Sequence, residues 1–141
     1  MGKGLIKTLI EDRLKTNPKV DKEGYFARYQ DNIFNNNMKP EHQDMFNKGD
    51  GNELKDKKAH ARAVYSSSML CYNFLSWIDD KHPFLFDEIT YNEVRFEEQL
   101  PTLKKGVKRR SANLDVLLIS EDEKNLLFIE SKFTEYLDID N

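Results

Sequence analysis

The feature that most constrains the fold is a polar turn between two apolar runs near the C-terminal end of the sequence. The stretch LDVLLISEDEKNLLFIESKF covers residues 114–133, and its polar residues 120–125 separate the two apolar halves. This pattern is typical of a β-hairpin, in which short apolar runs on either side of a polar turn pair as neighbouring strands. We therefore predict strands over about 113–119 and 126–133.

The turn also predicts which side chains meet across the hairpin. If Ser120 lies opposite Asn125, Asp115 falls directly opposite Glu130, and directly opposed Cβ atoms lie about 4.5–5.5 Å apart on one face. Lys132 follows Glu130 by two positions and therefore points to the same face. The hairpin thus predicts a cluster of two carboxylates and one ammonium group on strands that are otherwise apolar.

The sequence before the hairpin changes from a helical to an alternating pattern. Alternation after His82-Pro83 predicts a strand over about 89–100, since the proline ends the preceding helix. Consecutive strands with short connections usually pair antiparallel, so we predict an α+β fold with helices against a three-stranded, largely antiparallel sheet. Apolar residues at helical spacing predict helices over residues 3–15, about 22–34 and about 54–78, with a polar loop or hinge over about 40–52.

Length and charge limit the class of protein. The chain has 141 residues, and we divide it into an N-terminal helical segment, residues 1–52, and a helix-plus-sheet core, residues 53–141. The net charge is −3, so contact with nucleic acid requires a local basic patch. The single cysteine, Cys71, and the lack of a signal-peptide pattern or a long apolar run lead us to expect a cytoplasmic protein without a membrane span.

A basic patch of this kind directly precedes the strand that carries Asp115. Five cations lie in the connection PTLKKGVKRRS, where they would hold nucleic-acid phosphates; a solvated loop without a ligand is the alternative. These cations are Lys104, Lys105, Lys108, Arg109 and Arg110.

Two neighbouring acids lie just before the same connection. Glu98 shares its parity with Val94 and Phe96, so we predict that it points toward the packed face, whereas Glu97 should face solvent. Glu98 is therefore a candidate third acid and metal ligand. The alternative is a strand-end acid that faces water.

The paired carboxylates point to metal chemistry. Two close carboxylates repel each other unless one is protonated or a cation lies between them. Mg²⁺ takes one or two protein carboxylates and leaves its other positions to water and phosphate. The pattern therefore favours Asp115 and Glu130 as ligands of Mg²⁺, or of Mn²⁺, and Lys132 as a residue that orients water and stabilises phosphate charge. A structural ion-pair network without chemistry is the other explanation.

This constellation resembles the PD-(D/E)XK nuclease superfamily, which has the restriction-endonuclease-like fold. The superfamily motif is an acid at the start of one core strand and acid-x-Lys on the next, which here are Asp115 in ANLDVLL and Glu130-Ser131-Lys132 in FIESKF. The resemblance covers about residues 55–137. It implies that Asp115 and Glu130 bind Mg²⁺ and that Lys132 serves catalysis.

The flanking sequence extends this resemblance. The segment ESKFTEYL is similar to the motif of one bacterial branch of these nucleases, which singles out Glu135 as a further motif residue. The superfamily core continues with another helix and strand, whereas the sequence ends nine residues after Lys132. We therefore expect the core to lack these elements, because the sequence is a fragment, because it is a short variant, or because a second copy or a protein partner completes the sheet.

Three functional hypotheses follow from the residues and the resemblance. The first is a nuclease in which metal-activated water attacks a phosphodiester of nucleic acid in line, with DNA favoured as substrate. The second is a catalytically inactive module of the same fold that binds nucleic acid or a protein partner. The third is an interaction protein of helices and a sheet whose charged cluster is only structural.

Overall fold

The described residues form helices and one antiparallel sheet. The computed structural model describes residues 8, 11–12, 15–16, 19–48, 54–55, 59–100 and 112–132. In these ranges the helices are α1, Pro40–Lys48, and α2, Ser67–Leu75, and short 3-10 helices lie at Tyr29–Asn32 and His60–Arg62. The strands are β1, Phe84–Phe86, β2, Ile89–Leu100, β3, Ala112–Ser120, and β4, Leu126–Ile129. Their order β1-β2-β3-β4, antiparallel at every pairing, confirms the predicted α+β class.

The sheet has one strand more than the sequence predicts. β2 has the predicted bounds, Ile89–Leu100, but β1 precedes it and pairs with it as an antiparallel hairpin. The connecting residues Asp87 and Glu88 both have positive φ angles, 48° and 64°. Such two-residue turns usually contain glycine or asparagine, so Asp-Glu gave no turn signal in the sequence.

The helix predicted over residues 22–34 is wrong. The Asp21 carboxylate accepts the N–H groups of Glu23 and Tyr25, each at 2.9 Å, and Gly24 has a φ of 89°. This local turn competes with a helix because the side chain satisfies main-chain donors that a helix would otherwise use. The chain continues in a bridge between Tyr25 and Ala63 and then in the 3-10 helix Tyr29–Asn32.

The predicted loop over residues 40–52 and the predicted helix over 54–78 also need correction. α1 occupies Pro40–Lys48, and only Ser67–Leu75 of the second stretch is α-helical. Ser66 starts α2, since its side chain accepts the Met69 N–H at 3.2 Å. The helix predicted over residues 3–15 lies largely outside the described residues.

An aromatic cluster joins both helices to the sheet. The Phe96 ring of β2 stacks on Phe46 of α1, with centroids 5.6 Å apart, and lies 5.2 Å from Tyr72 of α2. Phe46 and Phe96 are each only 1% exposed. The described part of the N-terminal segment therefore contributes to the same core as the sheet, while the proposed division of the chain at residue 52 stays a prediction.

His42 is a polar member of this aromatic cluster. Its ring centroid lies 5.6 Å from that of Tyr72 and 5.1 Å from that of Phe96, and its Nδ1 has no hydrogen-bond partner among the described residues. Burial lowers the pKa of His42, and the charge of Lys39 acts in the same direction, whereas Glu41 opposes both. At neutral pH the folded protein therefore holds His42 in its neutral form.

None of the helices in the described ranges is long and apolar enough to cross a membrane.

The Phe46→Ala variant tests whether α1 belongs to the core. Removing a buried phenylalanine ring should lower the free energy of unfolding by about 3–5 kcal/mol. Phe34→Ala is the matched control, because Phe34 is 71% exposed and should change stability by less than about 1 kcal/mol. Urea unfolding measures both variants, and equal stability of the two would contradict the packing of α1 on β2.

Acid should destabilise the protein through His42. The unfolded chain takes up a proton near pH 6.5, the ordinary value for this group, whereas the folded chain does so only at lower pH. The free energy of unfolding should therefore fall as the pH decreases below about 6.5. His42→Phe should lose this part of the decrease. Urea unfolding at about pH 7.5 and about pH 5.5 compares the two proteins, and the same pH dependence in both would exclude His42 as its source.

Candidate active site

The hairpin forms with the predicted register. Ser120 donates its N–H to the Asn125 carbonyl at 3.0 Å, and one step beyond the last ladder pair, Val116↔Ile129, the register places Asp115 opposite Glu130. The ladder itself ends earlier than predicted, because β4 stops at Ile129 and Glu130 follows it. The β3–β4 pairs are Val116↔Ile129, Leu117↔Phe128, Leu118↔Leu127 and Ile119↔Leu126.

Asp115 is tied to the end of β4 by its side chain. Its Oδ2 accepts the main-chain N–H of Ser131 at 2.6 Å, and the residue is half-buried. This bond engages the N–H at the point where the ladder ends, and a hydrogen bond to a carboxylate is stronger than one between neutral groups. Asp115 thereby obtains a partner on a strand whose next four residues, Val116–Ile119, are all buried.

Glu130 and Lys132 form an ion pair on the segment that follows β4. The Lys132 Nζ donates to Glu130 Oε1 at 2.6 Å. The side chains are 52% exposed for Glu130 and 37% exposed for Lys132, so solvent reaches both charges. An exposed pair of this kind contributes at most about 1 kcal/mol to stability. Its two charges therefore remain accessible to a ligand.

Ser131 lies between Asp115 and α2. Its N–H binds Asp115, and its side chain is near enough to the buried Cys71 thiol of α2 to lower the pKa of that thiol. No pattern in the sequence indicates this position, because it depends on a main-chain donor and on a helix far away in the chain.

The charges of the surrounding acids affect the pKa of the Cys71 thiol. Burial raises the pKa of the Cys71 thiol, the hydrogen bond from the Ser131 side chain lowers it by favouring the thiolate, and the negative charges of Asp115, Glu97 and Glu130 raise it again. Three carboxylates from β2, β3 and the end of β4 are therefore close enough to act on one thiol.

Glu97 belongs to this group of acids, and the prediction that it faces solvent is wrong. It is only 9% exposed, and its φ of 51° is left-handed. This conformation breaks the alternation of β2, so that Phe96 and Glu97 are both buried. The neighbouring pair Phe96↔Val116 places Glu97 opposite Asp115 by register. The sequence pattern alone could not predict the burial of Glu97, because assigning alternate residues to opposite faces assumes a regular strand.

Glu98 has a different environment. It pairs by register with Leu114, its side chain is 34% exposed, and its Oε1 lies 3.9 Å from the Arg95 guanidinium. Its role as a third acid stays a prediction.

The remaining predicted site residues lie outside the described residues. They are the basic patch, Lys104, Lys105, Lys108, Arg109 and Arg110, and the motif residue Glu135.

The donor set suits a hard cation that keeps most of its water. Among the described residues, no group of three or more His, Cys, Asp or Glu side chains has the arrangement of a metal site. Asp115 and Glu130 offer two carboxylates, the number of protein ligands that Mg²⁺ commonly takes beside water and phosphate. The chemistry of these two carboxylates therefore fits Mg²⁺.

The comparison with protein-family models gives a match over almost the whole chain. The model of the family described as "Restriction Endonuclease associating with ARP" matches residues 9–140. No curated protein and no solved structure matches the chain.

The buried Cys71 thiol should react slowly with iodoacetamide in the folded protein. It is 6% exposed, and its raised pKa leaves little thiolate at neutral pH. We expect alkylation at least about 100-fold slower than in urea, because reaction requires local opening. Mass spectrometry follows this single cysteine without ambiguity. Equal rates in buffer and in urea would contradict the packing of α2 on the Ser131 segment.

Proposed function

Since the chain belongs to a restriction-endonuclease-like family, the one described as restriction endonuclease associating with ARP, we propose that it is an Mg²⁺-dependent nuclease of the PD-(D/E)XK type. It would hydrolyse phosphodiester bonds of nucleic acid by in-line attack of water, with DNA as the favoured substrate. The observation that supports this most directly is the arrangement at the end of β4, where Ser131 binds Asp115 and Lys132 binds Glu130.

Asp115 and Glu130 are the residues that would hold the metal. Ser131 orients the Asp115 carboxylate through its N–H, so this ligand is fixed before a metal binds. Glu130 is more exposed and exchanges its partner more easily. When bound, Mg²⁺ would supply a Lewis acid that activates water and neutralises charge on the phosphate.

Lys132 would act on the phosphate and on the attacking water. Its ammonium stands 2.6 Å from a proposed metal ligand, so a phosphate near this ligand would also meet the lysine. A fixed positive charge at the point where negative charge develops stabilises the transition state. An ammonium N–H can also orient the water for in-line attack.

The basic patch at residues 104–110 would hold the nucleic-acid backbone. It lies in the connection that leads into β3, the strand of Asp115. Each phosphate contact releases counterions, which gives affinity that the net charge of −3 does not supply. We also propose that the protein works in the cytoplasm.

Cleavage of plasmid DNA tests the proposal. The wild type should cleave it with Mg²⁺ and not with EDTA, and Lys132→Ala should lower the rate at least about 100-fold, the usual loss when a transition-state donor is removed. Lys124→Ala is the matched control, because Lys124 is 80% exposed and lies in the β3–β4 turn, where it pairs with Asp122. It should cleave like the wild type.

Equal cleavage by Lys132→Ala and the wild type would refute the role of Lys132. Cleavage that persists in EDTA would refute the metal dependence. No cleavage by the wild type on duplex DNA, single-stranded DNA or RNA would favour the inactive module.

A further inference from the structure

A group of exposed aromatic rings lies outside the set of residues that form the Asp115 site. Phe34 is 71% exposed, Phe74 is 59% exposed and Trp77 is 47% exposed. The Phe34 and Phe74 rings meet edge to face with centroids 6.1 Å apart, and the Trp77 indole N–H donates to the Phe74 carbonyl. We call these three residues the aromatic patch. Large exposed rings that lie together mark an interaction surface rather than ordinary protein surface.

The exposure of Phe34 is built into the fold. Asn73 of α2 accepts the Phe34 N–H and donates to the Asn32 carbonyl, each at 3.0 Å. The Asn36 N–H closes the turn on the Ile33 carbonyl at 3.0 Å. Both sides of Phe34 are thus bound, and its ring is held outward at little cost in conformational entropy on binding.

Phe34 of the aromatic patch lines a cavity of about 340 Å³. Leu70, Asn73 and Asp31 line it as well. This volume lies at the lower end of the range for small-ligand sites, about 300–1,000 Å³. A single nucleotide is a ligand of this size class.

Asp31, which lines the cavity, forms ion pairs with two cations. The Asp31 side chain is 3% exposed and pairs with Lys19 at 3.2 Å and with Arg28 at 3.0 Å. The two cations are far more accessible, since their side chains are 57% and 66% exposed. Because one carboxylate faces two cations, the group keeps a net positive charge, and that charge is presented to solvent.

We propose that the aromatic patch and this cavity bind an unpaired nucleotide of single-stranded nucleic acid. The base stacks on Phe34 and Phe74, and the phosphate contacts Arg28 and Lys19. Aromatic rings beside cations are the combination by which proteins bind single strands without reading their sequence. A rigid duplex would not present an unstacked base to the patch, so the site favours single-stranded or frayed regions. The inference rests on the proposed function only in taking nucleic acid as the partner.

Binding in EDTA tests this site separately from cleavage. The probe is a fluorescein-labelled oligodeoxythymidine of about 12 nucleotides, within the site sizes known for single-strand binders, and a blunt duplex of the same length is compared. The anisotropy of the probe gives Kd. Trp77 is the only tryptophan of the chain, so stacking near it should quench the protein fluorescence.

The variants separate stacking from charge. Phe34→Ser should raise Kd for the single strand about 10-fold, the scale of one lost stacking contact, and Phe34→Tyr should restore it. Phe86→Ser is the matched control, because Phe86 is 52% exposed and stacks on Phe84 instead; its Kd should equal that of the wild type. Arg28→Gln should reduce the slope of log Kd against log salt by about 0.7, the value for one phosphate of a single strand.

The outcomes distinguish this site from the nuclease. Single-strand binding that depends on Phe34 supports the inference even if no cleavage occurs. Equal Kd for the wild type and Phe34→Ser, or tighter binding of the duplex, overturns it even if cleavage occurs. Self-association that disappears in Phe34→Ser, without single-strand binding, would also overturn it and assign the patch to a second copy of the chain.

Discussion

The packing of Phe96 is the contact on which the rest of the structure depends. It stands on β2, and its ring meets Phe46 and His42 of α1 and Tyr72 of α2. These rings bury the packed face of the sheet and set the position of both helices relative to it. Cys71 directly precedes Tyr72 on α2. The contact between Phe96 and Tyr72 therefore also sets the position of Cys71 relative to the candidate site.

The geometry of the candidate site depends on residues other than the two acids and the lysine of its motif. Asp115, Glu130 and Lys132 supply the chemical groups, but Ser131 orients Asp115 through its main-chain N–H, and its side chain acts on the pKa of Cys71. Glu97 adds a buried charge from the next strand. The electrostatics of the site therefore depend on β2, β3, the end of β4 and α2. The motif residues lie only on β3 and at the end of β4.

The sequence could predict the hairpin because its signals are local. The apolar runs alternate with a polar turn, and these alone fix the pairing that β3 and β4 adopt. α1 was missed because its apolar residues are few, although Pro40 at its first position and Gly49 just after Lys48 are typical helix boundary residues. Glu97 was misplaced because a single left-handed residue interrupts the alternation of the strand locally, which no pattern of side chains reveals. Distant partners such as Cys71 and Ser131 are likewise invisible until the chain is folded.

The stack of Phe46 on Phe96 also has a kinetic consequence. The two rings are 50 positions apart in the sequence, and the sheet between β1 and β4 is built from hairpins that need no such closure. Closing a long loop costs chain entropy before its contact is gained. The hairpins can therefore form first, with α1 docking afterwards as a separate and slower event. On the ribosome α1 emerges before β2, and its apolar side has no partner on the sheet until about a third of the chain length more has been synthesised.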